Sequence, residues 1–246
     1  MNILVTGSNG FFGKKIRKEL NKFQKYEVFS YSRENSLNDL ESFIPKIDFI
    51  FHFAGAPDPK MNEKLLKADN EIFTKTLVDI LYKYDLKIPI LFTSTLHAEN
   101  KQSSYGKYKK NAENTIIAYS KKNKIRSYIF RLPHVFGMGS KPNHNSVITT
   151  WLYNGSRNKE IIVFDRAIKM QYVYVDDLIF QFISLIAQDN SKSSQFVLPN
   201  KIYQTNLGQI HDYIKEFKIT PDKHMFNNSF KRKLFECYKF YKDYDK

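Results

Sequence analysis

With 246 residues, of which 42% are hydrophobic and 15% aromatic, the chain has enough apolar surface to fold without disulfide or metal cross-links, which argues against an intrinsically disordered protein. Its single cysteine, Cys237, excludes an internal disulfide or a cysteine-rich metal site, so we predict no metal and a reducing, cytoplasmic location. The net charge of +14 favours an anionic partner, although lysines scattered among Asn, Ile, Tyr and Phe also fit a compositional bias of the genome.

The first half alternates short β-rich runs with amphipathic stretches, the pattern of a parallel sheet covered by helices. Met1–Val5 leads into a glycine turn without a signal peptide, and no apolar run reaches membrane-spanning length, so we expect a soluble protein. The predicted strands are Asn2–Thr6, Tyr26–Tyr31, Asp48–Phe53, Pro89–Ser94 and Ser127–Arg131. Helical spacing predicts helices at Lys14–Lys25 (with Ile16, Leu20 and Phe23 on one face), at Leu65–Leu86 (with Leu65, Ile72, Leu77, Ile80 and Leu81 buried) and from Ser104.

After Pro133 the pattern loosens, and its glycines, proline and asparagines are typical of a binding loop that leads into a smaller lobe. Further helices are predicted at Asn145–Tyr153, Asp176–Gln188, Asn206–Phe217 and from Ser229. We therefore expect one domain spanning 1–246, with a core in residues 1–135 and a lobe in residues 136–246.

Gly7, Gly10 and Gly13 follow the first strand and open a helix. Glycines at this spacing permit a tight turn and close approach of a diphosphate, and the helix amino terminus stabilises negative charge. The turn predicts a dinucleotide site, the alternative being an ordinary strand-to-helix turn. At the end of the second strand, Ser32 and Arg33 stand where an acid would select NAD, which favours NADP, although Glu34 follows and a solvated arginine is the alternative.

Small residues after the third strand, Ala54 and Gly55, would let the backbone lie against a cofactor, whereas His52 within the strand is expected to be a hydrogen-bonded core residue. Tyr105 and Lys109 lie four residues apart at a helix start, so they share a face, and the ammonium is expected to lower the pKa of the phenol. Such a phenol can exchange a proton with a carbonyl oxygen, and Ser94 or Thr95 can orient that oxygen. Chance occurrence is the alternative for the Tyr–Lys pair alone, but the order of the motifs argues against it.

These residues resemble the extended short-chain dehydrogenase/reductase family, whose fold is a Rossmann-like doubly wound parallel α/β sheet with a small C-terminal substrate-binding lobe. The resemblance implies a catalytic set of Tyr105, Lys109 and Thr95, joined here by Ser94. Segments similar to the family's later signatures are Arg131–Gly137 and Tyr172–Asp177. The cofactor contacts that it implies are Gly7, Asn9, Gly10, Phe11, Phe12, Gly13, Ser32, Arg33, Phe53, Ala54, Gly55, Asn70, Tyr105, Lys109, Pro133 and Val135.

Within that family, the segment Lys141–Ile148, the pair Asp165 and Arg166, and the short gap from strand hydroxyls to Tyr105 resemble the reductase half of bacterial capsular-polysaccharide enzymes. Those enzymes reduce UDP-2-acetamido-2,6-dideoxy-hexos-4-uloses, and some members continue into a cupin half that this chain is expected to lack. The resemblance implies substrate contacts at Thr95, His97, His134, Asn143, Asn145, Ser146 and Arg166, with loop capping as the alternative for Asn143, His144 and Asn145.

We therefore predict an NADPH-dependent reductase of the C4 ketone of a UDP-linked deoxy amino sugar, a homodimer that works beside a separate epimerase or dehydratase. A nucleotide-sugar epimerase that retains NAD is the alternative. A dehydratase is disfavoured because Leu96, His97 and Ala98 stand where acidic residues would follow the strand hydroxyl. A more distant alternative is a scaffold that binds nucleic acid through the basic residues Lys231, Arg232 and Lys233.

Overall fold

A computed structural model describes residues 1–56, 61–100, 103–187, 195–219, 222 and 226–244. The chain divides into two compact units, a first unit of Met1–Leu132 with Ile179–Pro199 and a second unit of Pro133–Leu178 with Asn200–Lys246. The segment Ile179–Pro199, expected in the smaller lobe, belongs to the first unit because its strand extends that unit's sheet. No helix within the described ranges is both long and apolar enough to cross a membrane.

The first unit is built on a sheet of six parallel strands in the described part of the chain, in the order β2-β1-β3-β4-β5-β8. Its strands are β1 (Asn2–Thr6), β2 (Glu27–Tyr31), β3 (Phe49–His52), β4 (Ile90–Thr95), β5 (Tyr128–Leu132) and β8 (Gln195–Phe196). The five strands predicted for this half are confirmed to within two residues, because their continuous apolar runs can only be buried between two helical layers. The predicted doubly wound α/β fold is confirmed.

Helices cover this sheet and connect its strands. They are α1 (Phe11–Leu20), α2 (Leu37–Phe43), α3 (Glu63–Lys67), α4 (Phe73–Lys83), α5 (His97–Asn100) and α6 (Ser104–Asn123), while α8 (Val175–Ser184) continues from the second unit into the first. The predicted helix at Lys14–Lys25 begins earlier and ends at Leu20, which leaves Phe23 45% exposed beyond its end.

The helix predicted at Leu65–Leu86 is interrupted by a π-helical turn at Ala68–Ile72, between α3 and α4. The wider turn shifts the helical register, so the prediction that Leu65 and Ile72 are buried is wrong: they are 55% and 49% exposed. Leu66 and Asn70 face inward instead. An inserted π turn is a common way to aim one side chain at a functional site.

The second unit has a small mixed sheet in which β7 (Lys169–Tyr174) pairs parallel with β6 (His134–Phe136) and antiparallel with β9 (Tyr203–Asn206). Its helices are α7 (Val147–Ser156), α9 (Leu207–Phe217) and α10 (Ser229–Lys242), which pack an aromatic-rich core against the sheet. These helices and α8 correspond to the predicted ones with shifted ends, and the predicted end of α8 at Gln188 lies outside the described residues.

Candidate active site

The glycine turn between β1 and α1 is packed too tightly for side chains. Gly7 has φ +67°, and a Cβ there would lie 2.7 Å from the Ala54 nitrogen. A Cβ on Gly13 would lie 2.3 Å from the Gly7 carbonyl oxygen. The turn therefore brings the start of α1 and the end of β3 together, leaving their backbones accessible to a ligand.

Helix α1 begins directly after the glycine turn, and the free N–H groups at a helix amino terminus can bind phosphate. Its N-cap is Gly10, and no side chain of the described residues caps it. Its first turn contains Phe11, Phe12 and Lys14, so the positive end of the helix carries no neutralising acid. Phe12 packs against Phe53, with ring centroids 5.5 Å apart, and thereby fixes the helix on the sheet.

The residues after β2 make contacts of their own. The Ser32 backbone nitrogen donates to Asn35 Oδ1 at 2.8 Å, and the Arg33 guanidinium forms an ion pair with Asp69. The Arg33 side chain is 75% exposed, so it can turn towards another anion at small cost. Asn9 Nδ2 donates to Glu34 Oε2 at 3.3 Å, which brings a carboxylate beside the glycine turn.

An unpartnered acceptor borders the end of β3. Asn70 is fully buried, and its amide nitrogen donates to the carbonyl oxygens of Ala56 at 3.1 Å and Leu66 at 3.0 Å. Its Oδ1 has no hydrogen-bond partner within the part of the chain that the structure describes. A Cβ on Gly55 would lie 2.7 Å from that Oδ1 and 3.0 Å from Lys109 Nζ, so both polar atoms border the Gly55 backbone.

A nicotinamide dinucleotide fits these residues. The side-chain-free turn and the uncapped α1 suit a diphosphate, and a buried acceptor left without a donor suits a ligand hydroxyl. In the same described residues, no cluster of three or more His, Cys, Asp or Glu could hold a metal ion.

Tyr105 lies at the start of α6, where Ser103 accepts a hydrogen bond from the Gly106 nitrogen at 3.1 Å. The Thr95 side chain at the end of β4 lies beside the Tyr105 hydroxyl. Burial raises the pKa of Tyr105 to about 12, against a smaller lowering by Thr95. The expected lowering of this pKa by Lys109 is therefore wrong in its net direction, and the phenol is a protonated donor at neutral pH.

His97 helps to hold this arrangement. Its backbone nitrogen donates to Thr95 Oγ1 at 3.3 Å, and its ring meets the Tyr105 ring edge-on at 6.3 Å. A Cβ on Gly106 would lie 2.3 Å from the His97 carbonyl oxygen, so a glycine at this position lets α5 and α6 approach each other.

Ser94 and Thr95 were expected to orient the same oxygen, but the structure brings only Thr95 to Tyr105. Ser94 Oγ instead donates to Glu113 Oε1 at 2.6 Å. The assignment of Ser94 to the reacting oxygen is thus corrected.

Lys109 is 6% exposed and lies one helical turn beyond Tyr105. Its Nζ donates to the Thr93 carbonyl oxygen at 3.1 Å and stands 4.6 Å from the centroid of the Phe92 ring. Burial lowers the pKa of Lys109 to about 8, and the nearby Glu113 carboxylate raises it. The amine therefore keeps its charge at pH 7.

His52 is a core residue, as predicted. Its Nδ1 lies 2.7 Å from Thr6 Oγ1 and its Nε2 lies 2.9 Å from Thr74 Oγ1. Burial lowers the pKa of His52 to about 3, and the positive charge of Lys109 lowers it further, so the imidazole stays neutral.

The remaining predicted residues lie in the second unit, where they make local contacts. Pro133 precedes β6, which contains Val135 and His134; the His134 ring lies 5.6 Å from that of Tyr172. Asn143 and Asn145 have positive φ angles of 56° and 49°. Left-handed backbone is typical of asparagines in loops.

Ser146 and Arg166 are each engaged within the second unit. Ser146 caps α7 by accepting from the Thr149 nitrogen at 3.3 Å. Arg166 donates to Asp212 Oδ2 at 2.7 Å and lies 3.1 Å from His211 Nδ1. A diphosphate at Arg166 would therefore compete with Asp212.

One residue of the site was missed in the sequence. Glu113 is fully buried and binds Arg131, Ser94 and Lys110. The sequence spacing could have identified Glu113: Tyr105, Lys109 and Glu113 lie four residues apart, so they share one face of the helix.

Comparisons with known proteins agree with this geometry. Residues 3–198 match the NAD dependent epimerase/dehydratase family. A UDP-2-acetamido-2,6-beta-L-arabino-hexul-4-ose reductase of Pseudomonas aeruginosa is 33% identical over 218 residues, 89% of this chain and 58% of the relative. The capsular polysaccharide assembling protein CapF of Staphylococcus aureus superposes with a TM-score of 0.80 at 30% identity, over 98% of this chain and 65% of that one.

The chain thus spans less than two thirds of the length of both relatives. A UDP-glucuronic acid 4-epimerase of Bacillus cereus, solved with NAD, has a TM-score of 0.86 at 17% identity over the full length of both chains and shares the fold. The family resemblance inferred from the motifs is confirmed, since the match spans residues 3–198. The chain belongs to the NAD dependent epimerase/dehydratase family.

Proposed function

We propose that the protein reduces the C4 keto group of a UDP-linked 2-acetamido-2,6-dideoxy-4-keto-hexose with NADPH, as a step in deoxy amino sugar and polysaccharide biosynthesis. The observation that carries this proposal is the position of Tyr105 beside Thr95, one helical turn from the buried Lys109. The relative from Pseudomonas aeruginosa, named as a reductase of such a sugar, supports the substrate class.

When bound, the nicotinamide cofactor supplies the hydride that reduces the carbonyl carbon. The chain supplies the proton: Tyr105 Oη donates it to the carbonyl oxygen as that oxygen gains negative charge. Burial keeps the phenol protonated until then, since the pKa of Tyr105 is raised to about 12. Thr95, which lies beside Tyr105, would orient the carbonyl oxygen, and no group of the site needs to act as a nucleophile.

The cofactor-holding residues of this proposal lie in the first unit. The backbone of Gly7, Gly10 and the start of α1 would bind the diphosphate. Lys109 Nζ and Asn70 Oδ1, which both border Gly55, would bind ribose hydroxyls as donor and acceptor respectively.

The choice of NADPH rests on Ser32 and Arg33. A guanidinium matches the geometry of a ribose 2′-phosphate, and the exposed Arg33 is placed after β2 where that phosphate would lie. Asp69 competes for Arg33, and Glu34 beside Asn9 is the type of residue that an NAD-binding enzyme uses. That carboxylate is the observation favouring the second candidate, an epimerase with retained NAD.

The basic carboxyl-terminal helix gives little support to a nucleic-acid-binding scaffold. Lys231 forms an ion pair with Glu216 at 2.5 Å, and Lys233 forms another with Asp177. Two of the three basic residues behind that alternative therefore have their charges matched within the protein.

The test is to mix the protein with NADPH and a UDP-linked 4-keto-6-deoxy-HexNAc, follow cofactor absorbance, and identify the sugar by NMR. We expect one NADPH oxidised for each 4-hydroxy sugar formed. Interconversion of sugars without net consumption of NADPH would establish the epimerase instead, and a keto sugar recovered unchanged would refute both.

A further inference from the structure

The helical face that carries Tyr105 and Lys109 continues one turn further to Glu113. This carboxylate has no exposed surface. A charge buried to this degree is costly unless it is fully paired and hydrogen-bonded.

Glu113 is bound from both neighbouring strands and from its own helix. Arg131 on β5 donates two hydrogen bonds to the carboxylate, from Nε to Oε1 at 2.9 Å and from Nη2 to Oε2 at 2.7 Å. Ser94 Oγ on β4 donates to Oε1 at 2.6 Å, and Lys110 Nζ donates to Oε2 at 3.1 Å. The two-pronged contact with Arg131 fixes direction as well as distance.

These bonds set the position of α6 along β4. Ser94 lies between Thr93, whose carbonyl oxygen accepts from Lys109 Nζ, and Thr95, whose side chain lies beside the Tyr105 hydroxyl. Three successive residues of one strand thus engage Lys109, Glu113 and Tyr105 of one helix face. A shift of α6 that loosened Glu113 would move the other two contacts as well.

The same carboxylate is the negative charge that acts on Lys109, since Glu113 raises the pKa that burial lowers. The other carboxylates on elements packed against α6 bind residues other than Lys109: Glu63 binds Tyr108, Asp69 binds Arg33, Glu71 binds Asn111, Asp79 binds Lys75 and Glu99 binds Arg131. The histidines on the surrounding elements are His52 and His97, and the cations there are Lys64, Lys67, Lys75, Lys83 and Arg131.

We propose that Glu113 is a positioning residue of this site, an inference that rests on the proposed reductase function. It holds the Tyr105–Lys109 face in register with Thr95, and its charge keeps the Lys109 amine protonated in the working pH range.

The test is Glu113→Gln, which keeps the shape of the side chain and removes its charge. The Lys109 amine is titrated by NMR of its ε-methylene signal, assigned by the loss of that signal in Lys109→Met. We expect the midpoint of the Lys109 titration to move from about pH 8 to lower pH, by on the order of one pH unit, because the carboxylate that favours the charged amine is gone. Turnover of the keto sugar should then fall about fivefold more at pH 8 than at pH 6.

Two further variants separate charge from shape. Glu71→Gln removes a carboxylate that touches α6 through Asn111, and it should leave both the Lys109 midpoint and the pH profile unchanged. Glu113→Asp, which retains the charge, should restore the Lys109 midpoint even if the shorter side chain lowers turnover. It also serves if Glu113→Gln does not fold.

An unchanged Lys109 midpoint in Glu113→Gln, or an equal shift in Glu71→Gln, would overturn the proposal. So would a midpoint in Glu113→Asp that is as low as in Glu113→Gln. Because the NMR titration needs no substrate, it remains decisive if the wild-type protein reduces no keto sugar, an outcome that would refute the proposed function alone.

Discussion

The two ends of the candidate site hold their charges in opposite ways. At the end proposed for catalysis, Lys109 and Glu113 are 6% and 0% exposed and are held by strand residues. At the end proposed to select the cofactor, Arg33 is 75% exposed and forms an ion pair with Asp69. The proposed proton chemistry therefore rests on buried groups, whereas the proposed cofactor preference rests on surface charges that substitution can change at little cost to stability.

The largest effect on stability should follow from removing the buried carboxylate of Glu113. In Glu113→Ala, Arg131 would lose its two-pronged partner, and a buried ion pair broken on one side costs about 3–5 kcal/mol of stability. The free energy of unfolding, measured by urea denaturation, should fall by that amount. Its matched control is Glu71→Ala, which should lose less than about 1 kcal/mol because Glu71 is less buried and binds a neutral amide. Equal losses in the two variants would contradict the proposed difference between buried and exposed charges.

The affinity for the cofactor should depend on pH through the buried Lys109. Because burial lowers the pKa of Lys109 to about 8, the amine loses its charge as pH rises through that value. Cofactor affinity should therefore weaken by roughly tenfold between pH 7 and pH 9.5, as measured by fluorescence titration with NADPH. Lys109→Met should bind weakly at both values, and a wild-type affinity that is flat across this range would place the charge elsewhere.

A moderate effect is expected at the exposed end. Arg33→Ala should raise the KM for NADPH roughly tenfold, because one charge-assisted contact to a phosphate is lost. The KM for NADH and the free energy of unfolding should stay nearly constant. A variant that still prefers NADPH as strongly as the wild type would remove Arg33 from cofactor selection.

The smallest effect should come from Asp69→Asn, which frees Arg33 from its surface ion pair. Such pairs contribute about 0–1 kcal/mol, so the KM for NADPH should fall by no more than about fivefold. An increase in that KM would mean that Asp69 positions Arg33 for the phosphate instead of competing with it.

Much of this arrangement follows from the sequence. Buried parallel strands leave continuous apolar runs, so the first five strands were predictable, and the glycine turn and the Tyr105–Lys109 spacing located the site. The separate roles of Ser94 and Thr95 could not be read in this way, because only the folded structure shows that Ser94 Oγ binds Glu113.

Other features depend on packing that a linear pattern does not encode. The π-helical turn at Ala68–Ile72 breaks the helical period, which is why Leu65 and Ile72 seemed core residues. The direction of the Tyr105 pKa depends on the balance between burial and Thr95, and neither contribution is visible before the chain is folded. In the second unit, β6 and β9 have only three and four residues, and their pairing with β7 joins distant parts of the chain.

The most direct test of the account concerns the proton of Tyr105. Tyr105→Phe removes the hydroxyl and keeps the ring, so single-turnover reduction of the keto sugar should slow by about 10²–10⁴-fold. The affinity for NADPH should stay within about twofold of the wild type, because Lys109 and the glycine turn remain. A single-turnover rate equal to that of the wild-type protein would contradict the central claim that this phenol donates the proton.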